Sequence, residues 1–174
     1  YTAVANPWHG SMHSLYAGVR LIDSASGRKL DASYGQQDFA VGRDLLMAFA
    51  LGVEIECRVG NAISPEHYAR GWHITSTCGT LGAAAAAGKL LSLDVDQLVW
   101  ALGAAATQTG GLVECLGTPA KSLSVGNAAR NGLWSALLAE RGFSGPPAPI
   151  EGRQGYLNAL APSSVDWAAL VEGL

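Results

Sequence analysis

Five consecutive alanines, Ala83 to Ala87, framed by Gly79, Gly82 and Gly88, constrain this chain more than any other feature. Alanine has the highest helix propensity, and a run of it offsets the cost of the flanking glycines. The spacing therefore predicts a helix from near Thr77 through Ala87 to Leu91. Side chains this small let neighbouring helices approach closely, so the segment is expected to lie among other helices.

Those neighbours are legible in the apolar periodicity. From Arg43 to Val59, Leu46, Phe49, Ala50, Val53 and Cys57 recur at helical spacing, while Glu54 and Arg58 form an i, i+4 pair on another side. Asp94 followed by Gln97 reads as a capping box opening a helix to Thr109, with Val95, Leu98, Val99, Leu102 and Ala106 as its apolar stripe and Gly110-Gly111 as its stop. Another helix is expected from about Val125 to Arg141, carrying Ala129, Leu133, Ala136 and Leu137 inward and ending at Gly142, a left-handed C-cap. Pro146-Pro147-Ala148-Pro149 then reads as a stiff exposed connector. Ser163 and Asp166 precede a last short helix through Val171, with Trp167 and Leu170 as its apolar contacts. Residues 1–40 are the least legible; their one periodic patch, Leu15 to Ile22, fits a helix or a strand. The fold class expected is all-α, a helical bundle-like arrangement.

Composition narrows the function classes. A chain of 174 residues with 49% hydrophobic content fills one domain. A net charge of -3 and 11 scattered Lys plus Arg provide no electrostatic footprint for nucleic acid. Cys57, Cys78 and Cys115 are far apart and lack C-x-x-C spacing, which argues against a disulfide framework and against zinc or iron-sulfur ligation, and suits a reducing cytoplasm. Polar residues interrupt the alanine-rich run and no charged n-region opens the chain, so neither a membrane span nor a signal peptide is expected.

Two titratable side chains stand in otherwise small or apolar surroundings. His73 precedes Thr75-Ser76-Thr77 at an expected helix entrance, where backbone N–H groups and the positive dipole end favour a carboxylate. Lys121 lies in Gly117-Thr118-Pro119-Ala120-Lys121-Ser122, read as a loop between helices, and its ammonium suits neutralising a carboxylate. Taken alone, His73 reads as a histidine bonded to a neighbouring loop and Lys121 as a solvated lysine. The lysine segment lacks G-x-x-x-x-G-K-[ST], so nucleotide binding is rejected. His9 and His13 have two-ligand spacing but no evident third ligand, so no metal is expected. Cys115, beside Glu114, reads as a small hydrophobe. Asp31, Glu66 and His67 are further acid or base candidates, each read more simply as a polar loop residue.

Taken together, Tyr68-Ala69-Arg70-Gly71-Trp72-His73, Gly79-Thr80-Leu81-Gly82 with its five alanines, Gly117-Thr118-Pro119-Ala120-Lys121-Ser122-Leu123, Gly126-Asn127-Ala128-Ala129 and Arg141-Gly142-Phe143-Ser144-Gly145-Pro146 resemble the MmgE/PrpD family. That family includes 2-methylcitrate dehydratase, cis-aconitate decarboxylase and an iminodisuccinate epimerase. The resemblance covers roughly Gly42 to Leu174, leaving residues 1–40 as a poorly recognised segment and 41–174 as the family-like helical domain. It implies a mostly helical domain, normally completed by an α/β lid, acting as a homodimer on small polycarboxylates without metal or other cofactor.

By the same resemblance His73 serves proton transfer and Lys121 grips a carboxylate or assists as an acid, which reverses both isolated readings. Thr75, Ser122 and Ser124 join them as substrate-binding positions. The chain also departs from the family pattern. Ser124 stands where the family commonly has histidine, the Asp-rich, His-containing N-terminal segment is reduced at most to His9-Gly10-Ser11 or His13, and the lid is absent, so a fragment is expected. The function implied is a metal-independent lyase of the 2-methylcitrate dehydratase type, moving a proton alpha to a carboxylate. The alternative is a non-catalytic helical dimerisation module or a fragment of such an enzyme.

Overall fold

The alanine-rich segment lies at the centre of the fold. In a computed structural model, which describes residues 36–171 and residue 173, the elements in chain order are α1 (Gln36–Ile63), α2 (Glu66–Ala69), α3 (Ile74–Leu90), α4 (Val95–Ala106), a 3-10 turn (Val113–Cys115), α5 (Pro119–Glu140), α6 (Tyr156–Leu160) and α7 (Ala168–Val171). The described residues form an all-α fold whose sole extended pairing is the isolated bridge between Trp72 and Leu112. No described helix is long and apolar enough to cross a membrane.

Every residue of α3 from Ser76 to Gly88 is buried, because α1, α4 and α5 all pack against it. A helix enclosed on all sides has no polar face to present, and here enclosure depends on small residues. A methyl group added at Gly132 of α5 would lie 2.6 Å from the Thr80 carbonyl oxygen and from Ala83 Cβ, and one at Gly82 of α3 would lie 2.7 Å from the Gly52 carbonyl oxygen of α1. The central helix thus touches backbone on two opposite sides. Bulkier side chains fill the main core: Ile63, Leu81 and Leu157 are fully buried there, each worth about 1.5–3 kcal/mol relative to exposure.

This close approach corrects the expected inward face of α1. Phe49 and Val53 pack inward as expected, but Leu46, Ala50 and Cys57 are exposed, and Ala48, Gly52, Val59 and Ile63 are buried instead, with Gly52 where the α1 backbone meets α3. The expected Glu54–Arg58 pair is present at 2.6 Å, and Arg58 also donates to the Leu170 carbonyl, tying α1 to α7. At the start of α4, Asp94 Oδ1 accepts from the Gln97 amide and Gln97 Oε1 accepts from the Asp94 amide, as a capping box requires. That helix stops at Ala106, short of Thr109, and its first residue, Val95, is exposed.

Helix α5 begins at Pro119, six positions before the expected Val125. Proline lacks the N–H that a first-turn residue leaves unbonded anyway, and its fixed φ suits that position, so Pro119 opens the helix. At the other end Gly142 has φ +81, its amide donates to the Ala139 carbonyl, and the Phe143 amide donates to that of Leu138, completing the expected C-cap. The following prolines are only partly the expected exposed connector. Pro146 and Pro147 are exposed, but Pro149 is half-buried against Gly103, where a Cβ would stand 3.1 Å from Pro149 Cβ. In α7, Asp166 Oδ1 caps the amides of Ala168 and Ala169; Leu170 packs on the core, while Trp167, expected as an apolar contact, is exposed.

Candidate functional site

The candidate site residues lie where two helices begin. Helix α3 starts at Ile74, before the expected Thr77, with His73 as its N-cap. The His73 amide donates to the Gly111 carbonyl at 3.0 Å, and the Val113 amide donates to the Gly71 carbonyl at 2.8 Å. These bonds zip the histidine turn to the segment that leads into α5. Gly111 has φ +117, and a Cβ there would stand 2.7 Å from Ser76 Cβ, so only glycine permits the approach. The two helices are also joined directly near their starts, since Ser76 Oγ donates to the Ser124 carbonyl at 2.9 Å.

Lys121 therefore sits in the first turn of α5, not in the loop expected from sequence, because Pro119 starts the helix. It is half-buried, and its ammonium has no hydrogen-bond or ion-pair partner among the described residues. His73 is 4% exposed, and its Nδ1 is buried without a hydrogen-bond partner among the described residues. Burial, and then the positive charge of Lys121, hold the His73 pKa below its ordinary value. Both effects disfavour the imidazolium. The structure thus brings the two titratable residues singled out from sequence into one electrostatic neighbourhood.

Neither helix start carries a side-chain cap. Thr118, the N-cap of α5, turns its hydroxyl back to the Cys115 carbonyl at 2.7 Å. Each uncapped N-terminus carries roughly half a positive charge, and Lys121 adds a full one. The combination favours an anionic group over a neutral one.

Of the other positions expected to bind substrate, Ser124 is half-buried, and its hydroxyl donates to the Lys121 carbonyl at 2.8 Å. Thr75 is half-buried on the first turn of α3, and Ser122 is exposed on that of α5. Glu114 is exposed and Cys115 half-buried in the 3-10 turn between the two starts. Cys78 lies in the core, where burial pushes its thiol up to about 12. Glu66 is committed elsewhere, its Oε2 accepting from the Ser163 amide and the Ser164 hydroxyl. His67 is wholly buried rather than on a polar loop. His9, His13, Asp31 and the Leu15 to Ile22 patch lie outside the described residues. Among the described residues no three His, Cys, Asp or Glu converge as metal ligands would.

Ser76 and Gly111 were not singled out by sequence reasoning. Ser76 was hidden inside a Thr-Ser-Thr run and Gly111 behind its role as a helix stop. The one local signal was the position of Ser76 in the first turn after His73, facing whatever the helix start faces.

Comparison with known proteins finds similarity over most of the chain. A family model described as the MmgE/PrpD N-terminal domain matches residues 24–168. The chain is 42% identical over 136 residues to a cis-aconitate decarboxylase-like protein, oryM, of Aspergillus oryzae, covering 77% of this chain and 28% of that protein. It is 35% identical over 150 residues to the cis-aconitate decarboxylase of Homo sapiens, covering 86% of this chain and 30% of the relative. The Mus musculus cis-aconitate decarboxylase is 32% identical over 139 residues, 79% of this chain and 28% of that protein. The chain thus spans less than a third of the length of these curated relatives.

Proposed function

The chain belongs to the MmgE/PrpD family, and we propose that it supplies the helical half of a metal-independent lyase acting on a small polycarboxylate, with His73 and Lys121 in its active site. The observation that carries this is the convergence of two uncapped helix starts, one bearing a buried histidine and the other a half-buried lysine.

The chemistry follows from the electrostatics. A di- or tricarboxylate docks one carboxylate against Lys121 and the amides of the helix starts. Its negative charge offsets the two effects that hold His73 neutral, so His73 gains a proton more readily once substrate is bound. In decarboxylation, the bond to the departing carboxylate breaks and its electron pair delocalises into the remaining acid. Lys121 and the helix dipoles stabilise that developing enediolate, in the role a Lewis acid fills elsewhere. The His73 imidazolium then delivers the proton that completes the product. The named activity of the relatives favours cis-aconitate and decarboxylation over the 2-methylcitrate dehydration expected from sequence.

Exposed Leu112, Leu116 and Leu123 flank the site, at 52%, 41% and 65% exposure. They suit coverage by a lid domain. The same rim favours the second reading, in which the helical unit is an association module without turnover. The homodimer and the cytoplasmic setting are parts of the same proposal. The full-length protein, incubated with cis-aconitate and separately with 2-methylcitrate, is expected to release carbon dioxide from the first, undiminished by chelator. Water elimination from 2-methylcitrate alone would replace decarboxylation by dehydration. Inhibition by chelator would refute metal independence, and no turnover of either would favour the module.

A further inference from the structure

Behind the site, on the side of the His73 turn away from Gly111, lies a buried polar chain that the proposed chemistry does not use. His67 of α2 is 0% exposed, and its Nε2 lies 3.0 Å from Thr77 Oγ1. Thr77 Oγ1 in turn lies 3.3 Å from the His73 carbonyl, which also accepts the Thr77 amide at 3.1 Å. The His67 ring stacks on Trp72, with centroids 6.5 Å apart and planes at 27°, and the Trp72 amide donates to the His67 carbonyl. Nδ1 of His67 is buried with no partner among the described residues.

That orphaned nitrogen identifies the tautomer. A proton on Nδ1 would be a buried donor without an acceptor, which is costlier than an acceptor left unused. The proton therefore sits on Nε2 and is donated to Thr77 Oγ1. The single hydroxyl proton of Thr77 is then free for the carbonyls of the α3 entrance, those of His73 and Ile74, each at 3.3 Å, so the bonds run in one direction, from imidazole to hydroxyl to carbonyl.

We propose that His67 is a positioning residue for His73, acting through the Thr77 hydroxyl to fix the N-cap turn that carries His73 within electrostatic reach of Lys121. Gly111 grips the amide of that turn from one side, and Thr77 grips its carbonyl from the other. Burial holds the His67 pKa at about 4, so it remains a neutral donor at physiological pH and adds no positive charge beside His73. A lysine or arginine in its place would supply donors but also a charge.

The proposal rests on His73 as the proton-transferring group, and its test separates the two ideas. In the full-length protein, Thr77→Val keeps the shape of the side chain and removes the hydroxyl, whereas Thr77→Ser keeps the hydroxyl. Two quantities are read for each variant: the titration midpoint of the His73 ring, by NMR on isotopically labelled histidine, and kcat and KM on cis-aconitate. Thr77→Val is expected to loosen the turn, raise the His73 midpoint by about half a pH unit or more as the ring gains solvent, and lower kcat about tenfold with little change in KM. Thr77→Ser restores both. His67→Leu reproduces the valine result, and should it fail to fold, the threonine pair decides alone. A wild-type His73 midpoint in Thr77→Val, with only the melting temperature lowered, overturns the proposal. Undiminished turnover by His73→Gln would instead refute the catalytic assignment, and the midpoint in Thr77→Val would still decide whether His67 holds the turn.

Discussion

Replacing Gly132 with alanine tests the packing that brings the two helix starts together. The new methyl would stand 2.6 Å from Ala83 Cβ and the Thr80 carbonyl oxygen, and 2.7 Å from the Ala84 amide nitrogen. Non-bonded carbons sit best at about 3.5–4.0 Å, so α5 must withdraw from α3 by about 1 Å. No rotamer relieves the contact, because two of the three atoms are backbone and α3 is enclosed on every side. Withdrawal also loosens Leu133, Ala136 and Ala139 against Ala87. Overpacking of this kind costs up to about 3 kcal/mol, and the better helix propensity of alanine returns about 1 kcal/mol. The net loss of about 2 kcal/mol lowers Tm by about 4–8 °C for a domain of this size. Gly126, on the same helix, is exposed with nothing within 4 Å of an added Cβ. There the same substitution is worth about 1 kcal/mol of stability and raises Tm by about 2–4 °C. Thermal unfolding followed by far-UV circular dichroism should thus give opposite signs for one chemical change at two turns of one helix. A Gly132→Ala protein melting at or above the wild type would refute the close-packing account.

Two further outcomes concern stability. Burial raises the Glu56 carboxyl from 4.5 to about 7, so the folded state holds a proton that the unfolded state has lost, and this contribution to stability falls as pH rises from about 4.5 to about 7. Glu56→Gln removes that decline and gains about 2 kcal/mol above it for a half-buried carboxyl, as read by urea unfolding across pH. Asp94→Ala removes the capping box of α4 and costs about 1 kcal/mol, seen as a Tm lower by about 2–4 °C.

What could be read in the sequence was what depends on neighbours along the chain. The alanine run, the Asp94–Gln97 box, the Glu54–Arg58 pair and the Gly142 cap are all settled within one or two helical turns, and each is found as expected. What was misread depends on approach through space. The inward face of α1 is rotated toward Ala48 and Gly52 because α3 comes within backbone contact there, which no periodicity along α1 reports. Pro119 reads equally as loop or as first helical residue, and its role as helix opener puts Lys121 in the first turn of α5 rather than in a loop. His73 and Lys121 stand out as titratable groups among small residues, but it is the resemblance, not their isolation, that makes them site candidates. Ser76, Gly111 and the His67–Thr77 pair, which hold the turn, act through contacts between segments, as in the bond from Ser76 to Ser124. Resemblance to a family ordered the motifs correctly but carried no information on these supports.

The account stands or falls on whether Lys121 serves a bound carboxylate. Lys121→Met keeps much of the length of the side chain and removes its charge, at a half-buried position with no partner to lose among the described residues. In the full-length protein at saturating cis-aconitate, turnover by Lys121→Met is expected to fall about a hundredfold or more, with the melting temperature unchanged. Turnover at the wild-type rate in that variant would contradict the site proposed at the two helix starts.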